Sequence, residues 1–344
     1  MNRKYFLSLV ILTASIFLAD CSLPRVSITE ATQTPAPVTV TPATPADTAA
    51  PTLPTAELGL VENPLILALP PTANSQEQIE AARLIADQFT QRTGYVVVTI
   101  VPESYAALVD ALEKGNAHII LLDPYAYALA YKKDLVKATY AVLEDGDDKY
   151  GAQFIAARRG GFKSYFNPLT GMNTADAREA LLQFTDKKPC WSDETSPSGY
   201  VVPAGYLNAN QIVTRPAAFV EGHPTVVRSI YASGICDFGG TYIDARKFPS
   251  LENEFPDLME QVIVVWRIPE IIPHNVLALS SKMPQGMRNL FTDQVAALMQ
   301  TDAGSAAFKT VYNIDELQAV NDAYYDEFRT YVDESGVDLS SLVK

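Results

Sequence analysis

The chain reads as an α/β protein whose strands and helices alternate along two successive stretches, giving two lobes. Short leucine-rich or β-branched runs recur, each followed by an amphipathic stretch, and those stretches carry helix start and stop residues. In addition, 48% of the 344 residues are hydrophobic, enough to bury a large core, and the length suits about two lobes.

The first expected strand is Leu65-Ile66-Leu67-Ala68-Leu69, ended by Pro70-Pro71. Ser75 stands three residues before Gln78, a capping-box pattern, and the helix it opens turns Ile79, Ala82, Ile85 and Phe89 inward until Gly94 stops it. Residues 95–101 form the second strand. Ser104 begins a helix with Leu108, Ala111 and Leu112 inward and Gly115 at its end. Residues 118–122 form the third strand, and Pro124 opens a helix through Tyr131. Three strand–helix units in a row predict a parallel sheet covered by helices. A ligand crevice then belongs beyond the carboxyl ends of the strands, at residues 70–72, 102–105 and 123–125.

A second alternating set follows. Strands are expected at residues 153–157, 188–191, 217–220, 235–238 and 262–266, and helices at 174–184, 200–208 and 224–232. Helices at 287–299, 304–311 and 315–332 finish the chain. The expected arrangement is a second lobe, 153–269, inserted into a first made of 61–152 plus 270–344, with the last helices returning to the first lobe.

Net charge is −14 and the pI about 4.7. A surface this acidic repels nucleic acid and anionic lipid headgroups, so neither is expected as a partner, and a bound anion must be held by local dipoles and hydroxyls. Three histidines and three cysteines offer little to a metal or redox cofactor, and none is expected. No Gly-x-Ser-x-Gly elbow is present, so a secreted hydrolase is the weaker alternative.

At the N-terminus, Asn2-Arg3-Lys4 precedes an apolar run over residues 5–19, too short for a comfortable membrane span and suited to a signal peptide. It leads into Leu18-Ala19-Asp20-Cys21, which resembles the lipobox of bacterial lipoproteins, with Asp20 where a small residue is usual. That resemblance implies cleavage after residue 20 and lipidation of Cys21, with the mature chain anchored outside the cytoplasm. Residues 22–60 are rich in proline and threonine and have no period that could bury a face. At ~3 Å per residue this tether could reach on the order of 100 Å from a membrane.

Thr195-Ser196-Pro197-Ser198-Gly199-Tyr200 carries the clearest chemistry. A strand enters a hydroxyl-rich turn and a helix begins, so free amides and the positive end of the helix dipole face an incoming anion. Ser196 and Ser198 add hydroxyl donors, and Gly199 allows close approach. A plain serine N-cap would look the same.

Taken in order, Thr93-Gly94-Tyr95-Val96-Val97, Ser104-Tyr105-Ala106-Ala107-Leu108-Val109, Gly115-Asn116-Ala117-His118-Ile119-Ile120 and Asp123-Pro124-Tyr125-Ala126-Tyr127 resemble the phosphonate/phosphite-type substrate-binding proteins of ABC importers. The likeness continues through Ser196-Pro197-Ser198-Gly199-Tyr200-Val201-Val202-Pro203, Gly222-His223, Gly234-Ile235-Cys236-Asp237 and Val265-Trp266-Arg267-Ile268-Pro269. It implies a type 2 periplasmic-binding-protein fold, two α/β lobes with a ligand cleft between them. It also implies a monomeric, non-enzymatic receptor that captures a small oxyanion and passes it to a membrane permease; a sensory lipoprotein could use the same fold. By the same resemblance Ser196, Ser198 and Gly199 hold the oxyanion, Tyr105, Tyr150 and His223 line the pocket, and Asp244 contacts a ligand amine. Pro197 stands where the family has threonine, and Asn275 where it has a second acid. Taken singly, Tyr105 and Tyr125 could cap the core, His223 could serve a turn, and Asp244 and Arg267 could form structural ion pairs. With Cys21 lipidated, Cys190 and Cys236 are left in two strands of the inserted lobe, neighbours in a doubly wound order, and a disulfide is expected.

Overall fold

The computed structural model describes residues 56–344, built around two main β-sheets. The signal segment, Cys21 and most of the proline-rich tether lie outside the described residues.

The first sheet begins with β1 (Leu65–Ala68), α1 (Gln76–Thr93), β2 (Val97–Ile100), α2 (Tyr105–Lys114), β3 (Ile119–Leu122) and α3 (Pro124–Lys132). Ser75 and Gln78 form the reciprocal capping box at the start of α1, and Gly94 closes that helix at φ 77°, a conformation glycine reaches without a Cβ penalty. Ser104 caps α2 by accepting the Ala107 amide at 3.1 Å. The parallel strands β2, β1 and β3 lie side by side. At the entry to β3 the His118 ring takes a strand's place, its Nδ1 accepting the Ile66 amide at 3.1 Å.

The chain next forms β4 (Val136–Leu143) and crosses into β5 (Lys149–Ala157) of the second sheet. There follow the short ribbon β6 (Phe166–Asn167) and β7 (Met172–Asn173), then α4 (Ala177–Leu181), β8 (Pro189–Trp191), a wide turn (Pro197–Val201) and α5 (Val202–Ala209). β9 (Ala218–Phe219), α6 (His223–Ala232), β10 (Phe238–Tyr242), α7 (Pro249–Glu254), α8 (Leu258–Gln261) and β11 (Val262–Pro273) complete that half. The second sheet runs β11-β5-β10-β8-β9, with β10, β8 and β9 parallel. β11 lies at its edge, where Pro269 and Pro273 remove no ladder bond from a central strand.

The second crossing leads to β12 (Val276–Ser280), α9 (Gln285–Met299), α10 (Asp302–Tyr312), β13 (Glu316–Ala319), α11 (Asp326–Glu334) and α12 (Leu339–Leu342). β12 and β4 enter the first sheet antiparallel, giving the order β13-β4-β12-β3-β1-β2. The fully parallel sheet expected from sequence is therefore mixed.

Three further expectations need correction. The helix expected over 315–332 is a strand and a turn before it is a helix, because Glu316–Ala319 pairs with the free edge of β4 and that pairing overrides local helix preference. The strand expected at 235–238 starts at Phe238, after Gly234 at φ 103° and the Cys236 crosslink. The helix expected over 174–184 is α-helical only across Ala177–Leu181.

One apolar cluster packs α1, α9 and α10 on the outer face of the first sheet. Another joins its inner face, through Leu122, Tyr125 and Phe328, to Phe154, Trp191 and Val201 of the second half. α11 lies against α5, where the Tyr206 and Tyr331 rings stack at 3.7 Å. The Tyr331 carbonyl oxygen would lie 2.0 Å from a Cβ at Gly205, so only glycine allows this approach. Cys190 and Cys236 are joined by a disulfide in a third cluster behind the second sheet, with α6. That sheet places β8 and β10 side by side, as the expected pairing requires.

Candidate functional site

β8 ends at Trp191, and the polar segment after it returns to start a helix at Pro197. Ser196 caps that helix, its Oγ accepting the Gly199 amide at 3.0 Å. The Tyr200 and Val201 amides both reach back to the Ser196 carbonyl, at 3.1 and 3.0 Å, which widens the first turn. The Gly199 amide is thus used inside the turn. Pro197 has no amide, and Ser198, second in the helix, finds no acceptor one turn back. The donors left to a ligand are the Ser198 amide and the two serine hydroxyls. Ser196 and Ser198 are buried, and Ser192 beneath them is wholly buried, its Oγ without a partner among the described residues.

His223 opens α6 beside this turn. Its Nδ1 accepts the Tyr242 amide at 3.4 Å, which puts the ring proton on Nε2, 3.5 Å from Ser196 Oγ. Burial holds its pKa below the ordinary histidine value, against a smaller opposing effect of Asp193, and favours this neutral form. Ser196 Oγ then receives hydrogens from Gly199 and His223, leaving its own proton to point outward.

Three tyrosines, on α2, α3 and β5, are the other candidates. Tyr105 is the first residue of α2, and its amide donates to the Lys344 carbonyl at 2.9 Å. Burial, with help from the Asp123 charge, pushes its phenol up to about 12. Burial likewise pushes Tyr150, at the start of β5, up to about 12, and the nearby Ser198 hydroxyl offsets part of that rise. Tyr125 on α3 is only 6% exposed, and its hydroxyl has no hydrogen-bond partner among the described residues. Its phenol lies well above its usual range, chiefly through burial and also through Tyr150, Asp123 and Asp193. Groups of both halves, Asp123 of the first and Tyr150 and Asp193 of the second, lie near enough to act on it.

Asp244 lies just beyond β10 but is engaged elsewhere. Its carboxylate accepts from Arg246 Nη2 at 2.6 Å and Nε at 2.9 Å and from Gln153 Nε2 at 2.8 Å, with Arg267 at 3.8 Å. Burial alone would raise its pKa, yet the Arg246 hydrogen bonds and charge hold it below the ordinary carboxylate value. Arg267, stacked on Phe166 at 4.1 Å, belongs to the same network.

The structure thus brings His223, Ser196 and Gly199 together, sets Ser198 beside Tyr150 and Tyr125 near Tyr150, leaves Tyr105 beside Asp123, and encloses the Asp244 carboxylate in ion pairs. Sequence reasoning passed over Ser192 and Asp193 as site residues, and their position just beyond the carboxyl end of β8 was the available signal; Asp123 lies in the segment 123–125 expected at the crevice. Among the described residues no cluster of three or more histidine, cysteine or acidic side chains is placed to hold a metal ion. No helix among them is long and apolar enough to cross a membrane.

The family described as "ABC transporter, phosphonate, periplasmic substrate-binding protein" matches residues 67–325. The Phosphate-import protein PhnD of Mycolicibacterium smegmatis is 25% identical over 293 residues, covering 79% of this chain and 86% of that protein. Among solved structures, XAC2383 from Xanthomonas citri bound to ATP superposes with a TM-score of 0.56 at 13% identity, over 79% of this chain and 98% of that one, a likeness of fold. PhnD1 from Prochlorococcus marinus, in complex with methylphosphonate, gives 0.44 at 13% identity over 78% of this chain and 96% of its own.

Proposed function

This chain belongs to the phosphonate-type periplasmic substrate-binding proteins of ABC transporters, and we propose that it captures a small tetrahedral oxyanion between the Ser196–Gly199 turn and the tyrosines opposite. The protein is an extracytoplasmic binding component of an importer and not an enzyme. One observation carries the proposed site: among the described residues the buried Tyr125 hydroxyl has no hydrogen-bond partner, and Tyr150 and Asp193 of the second half lie near enough to act on it. An unpartnered buried hydroxyl is unfavourable unless something completes its hydrogen bonding, and an oxyanion oxygen would do so.

In this proposal the anion accepts hydrogen bonds from the Ser198 amide and from the hydroxyls of Ser196, Ser198, Tyr125 and Tyr150. Tyr105 and neutral His223 complete the wall. Neutral donors and the helix dipole carry the charge, as the acidic surface requires. Ligand contacts both halves, so it favours the form in which they are closed together, and that form docks on the permease. Asp244 is already paired with Arg246, and Asn275 carries no charge, so the ligand class is one without an ammonium group: phosphate, phosphite or a simple alkylphosphonate. The name of the Mycolicibacterium relative, a phosphate-import protein, supports that class.

The proposal also has the chain held at the membrane as a monomer by a lipidated Cys21, with the proline-rich segment as tether. Cys21→Ser should release the protein into the soluble fraction. Its retention in the membrane would refute the anchor.

A thermal-shift panel of phosphate, phosphite, methylphosphonate, aminoethylphosphonate and sulfate tests the ligand class, because a ligand that binds the folded state raises the melting temperature by mass action. A shift with phosphate or a simple phosphonate is expected. Aminoethylphosphonate as the strongest ligand would overturn the exclusion of an amine.

A further inference from the structure

The chain passes between the two sheets twice, from β4 to β5 and from β11 to β12. The two crossings run side by side: the Val142 amide donates to the Asn275 carbonyl at 3.1 Å, and Ile272 pairs with Tyr150. His274 lies in the second crossing and meets residues from both. Its ring stacks on that of Tyr150 in β5, with centroids 5.3 Å apart and planes at 31°. Its Nδ1 lies 3.2 Å from Glu144 Oε2 in the first crossing, an ion pair whenever the ring is protonated. The imidazole is only 14% exposed, so it is packed against the phenol ring while its edge meets a carboxylate at the surface.

The direction of the Tyr150 side chain matters to the proposed site. β5 packs against the turn that begins at Pro197, and the Tyr150 hydroxyl lies beside Ser198. A change of χ1 rotamer swings the whole ring and would carry that hydroxyl away from the turn. A second ring packed on it opposes the swing. Holding a side chain in its bound rotamer before the ligand arrives removes an ordering cost from binding. We propose that His274 is a positioning residue for ligand capture: packed on Tyr150 and met at its edge by Glu144, it holds the Tyr150 hydroxyl at the oxyanion site. His274 does not itself touch the ligand. The same contact ties a ligand-binding hydroxyl to the two segments that any movement of the halves must bend. This inference rests on the oxyanion site proposed above.

Calorimetric titration of the full chain with phosphate and methylphosphonate tests it in a double-mutant cycle of wild type, His274→Ala, Tyr150→Phe and the double variant. His274→Ala should weaken binding about three- to tenfold, the effect of one side chain no longer held in place beforehand. His274→Phe, which keeps a ring against Tyr150, should recover most of that loss. Where Tyr150→Phe has left no hydroxyl to position, His274→Ala should change affinity by less than about twofold. His274→Gln, which fills the space without a ring, replaces the alanine variant if that one melts at the titration temperature. An equal loss in both backgrounds, or no loss from His274→Ala, would overturn the positioning role and leave the oxyanion site standing. Unchanged affinity in Tyr150→Phe would take Tyr150 out of the site and overturn the role of His274 with it. If neither anion binds the wild type, the oxyanion site itself fails.

Discussion

Gly199 meets Ser192 at a separation that leaves no room for a side chain: a Cβ at position 199 would lie 1.9 Å from Ser192 Oγ and 2.8 Å from Ser196 Oγ. The serine turn can take this shape because position 199 has no side chain, and the wholly buried Ser192 fills the floor beneath it. Gly199→Ala must push one of these groups aside. The expected result is a loss of oxyanion affinity of about 100-fold or more, with folding destabilised by about 1–3 kcal/mol. Titration and urea unfolding of the variant check both.

Tyr125→Phe should separate stability from binding. It removes a buried hydroxyl that has no partner among the described residues, so the ligand-free protein should be unchanged or stabilised by up to about 1 kcal/mol. Affinity for the oxyanion should fall about tenfold, because a hydrogen bond to a charged group is lost. Loss of stability together with unchanged affinity would give Tyr125 a structural role only.

Much of the first half was legible because its signals are local. The Ser75–Gln78 box, Gly94, Ser104 and Gly115 mark their own helix ends whatever the rest of the chain does. β12 and β4 were not legible, since they enter the sheet antiparallel from distant positions and β12 is buried along its whole length. Glu316–Ala319 has helix-favouring residues and becomes a strand only because β4 offers an unpaired edge. At the site, the strand–polar turn–helix pattern pointed to Ser196, Ser198 and Gly199. That Tyr125 lacks a partner among the described residues, and that Asp244 is enclosed by Arg246 and Gln153, depends on contacts between residues of different elements.

Asp244→Ala should act on stability first. It would leave Arg246, itself nearly buried, without its carboxylate, and breaking a buried pair of this kind costs about 3–5 kcal/mol. Phosphate affinity, measured well below the melting temperature, should stay within about threefold of wild type. A selective loss of ligand binding with normal stability would return Asp244 to the pocket.

Acid should weaken the first half through His118. Burial, with the Lys282 charge adding to it, lowers the His118 pKa from 6.5 to about 4. The folded state resists the proton more than the unfolded chain does, so this group's contribution is complete above about pH 6.5, falls as pH drops, and stops changing below about 4. His118→Asn can keep an acceptor for the Ile66 amide while removing the titration. Melting temperatures across that window should show a shallower acid slope in the variant; identical slopes would assign the effect elsewhere.

A crystal structure of the full chain grown with phosphate or methylphosphonate examines the central claim most directly. The anion should lie within hydrogen-bond distance of both Ser198 Oγ and Tyr125 Oη, touching residues of both sheets. An anion found away from the helix that starts at Pro197, with Tyr125 Oη still unpartnered, would contradict it.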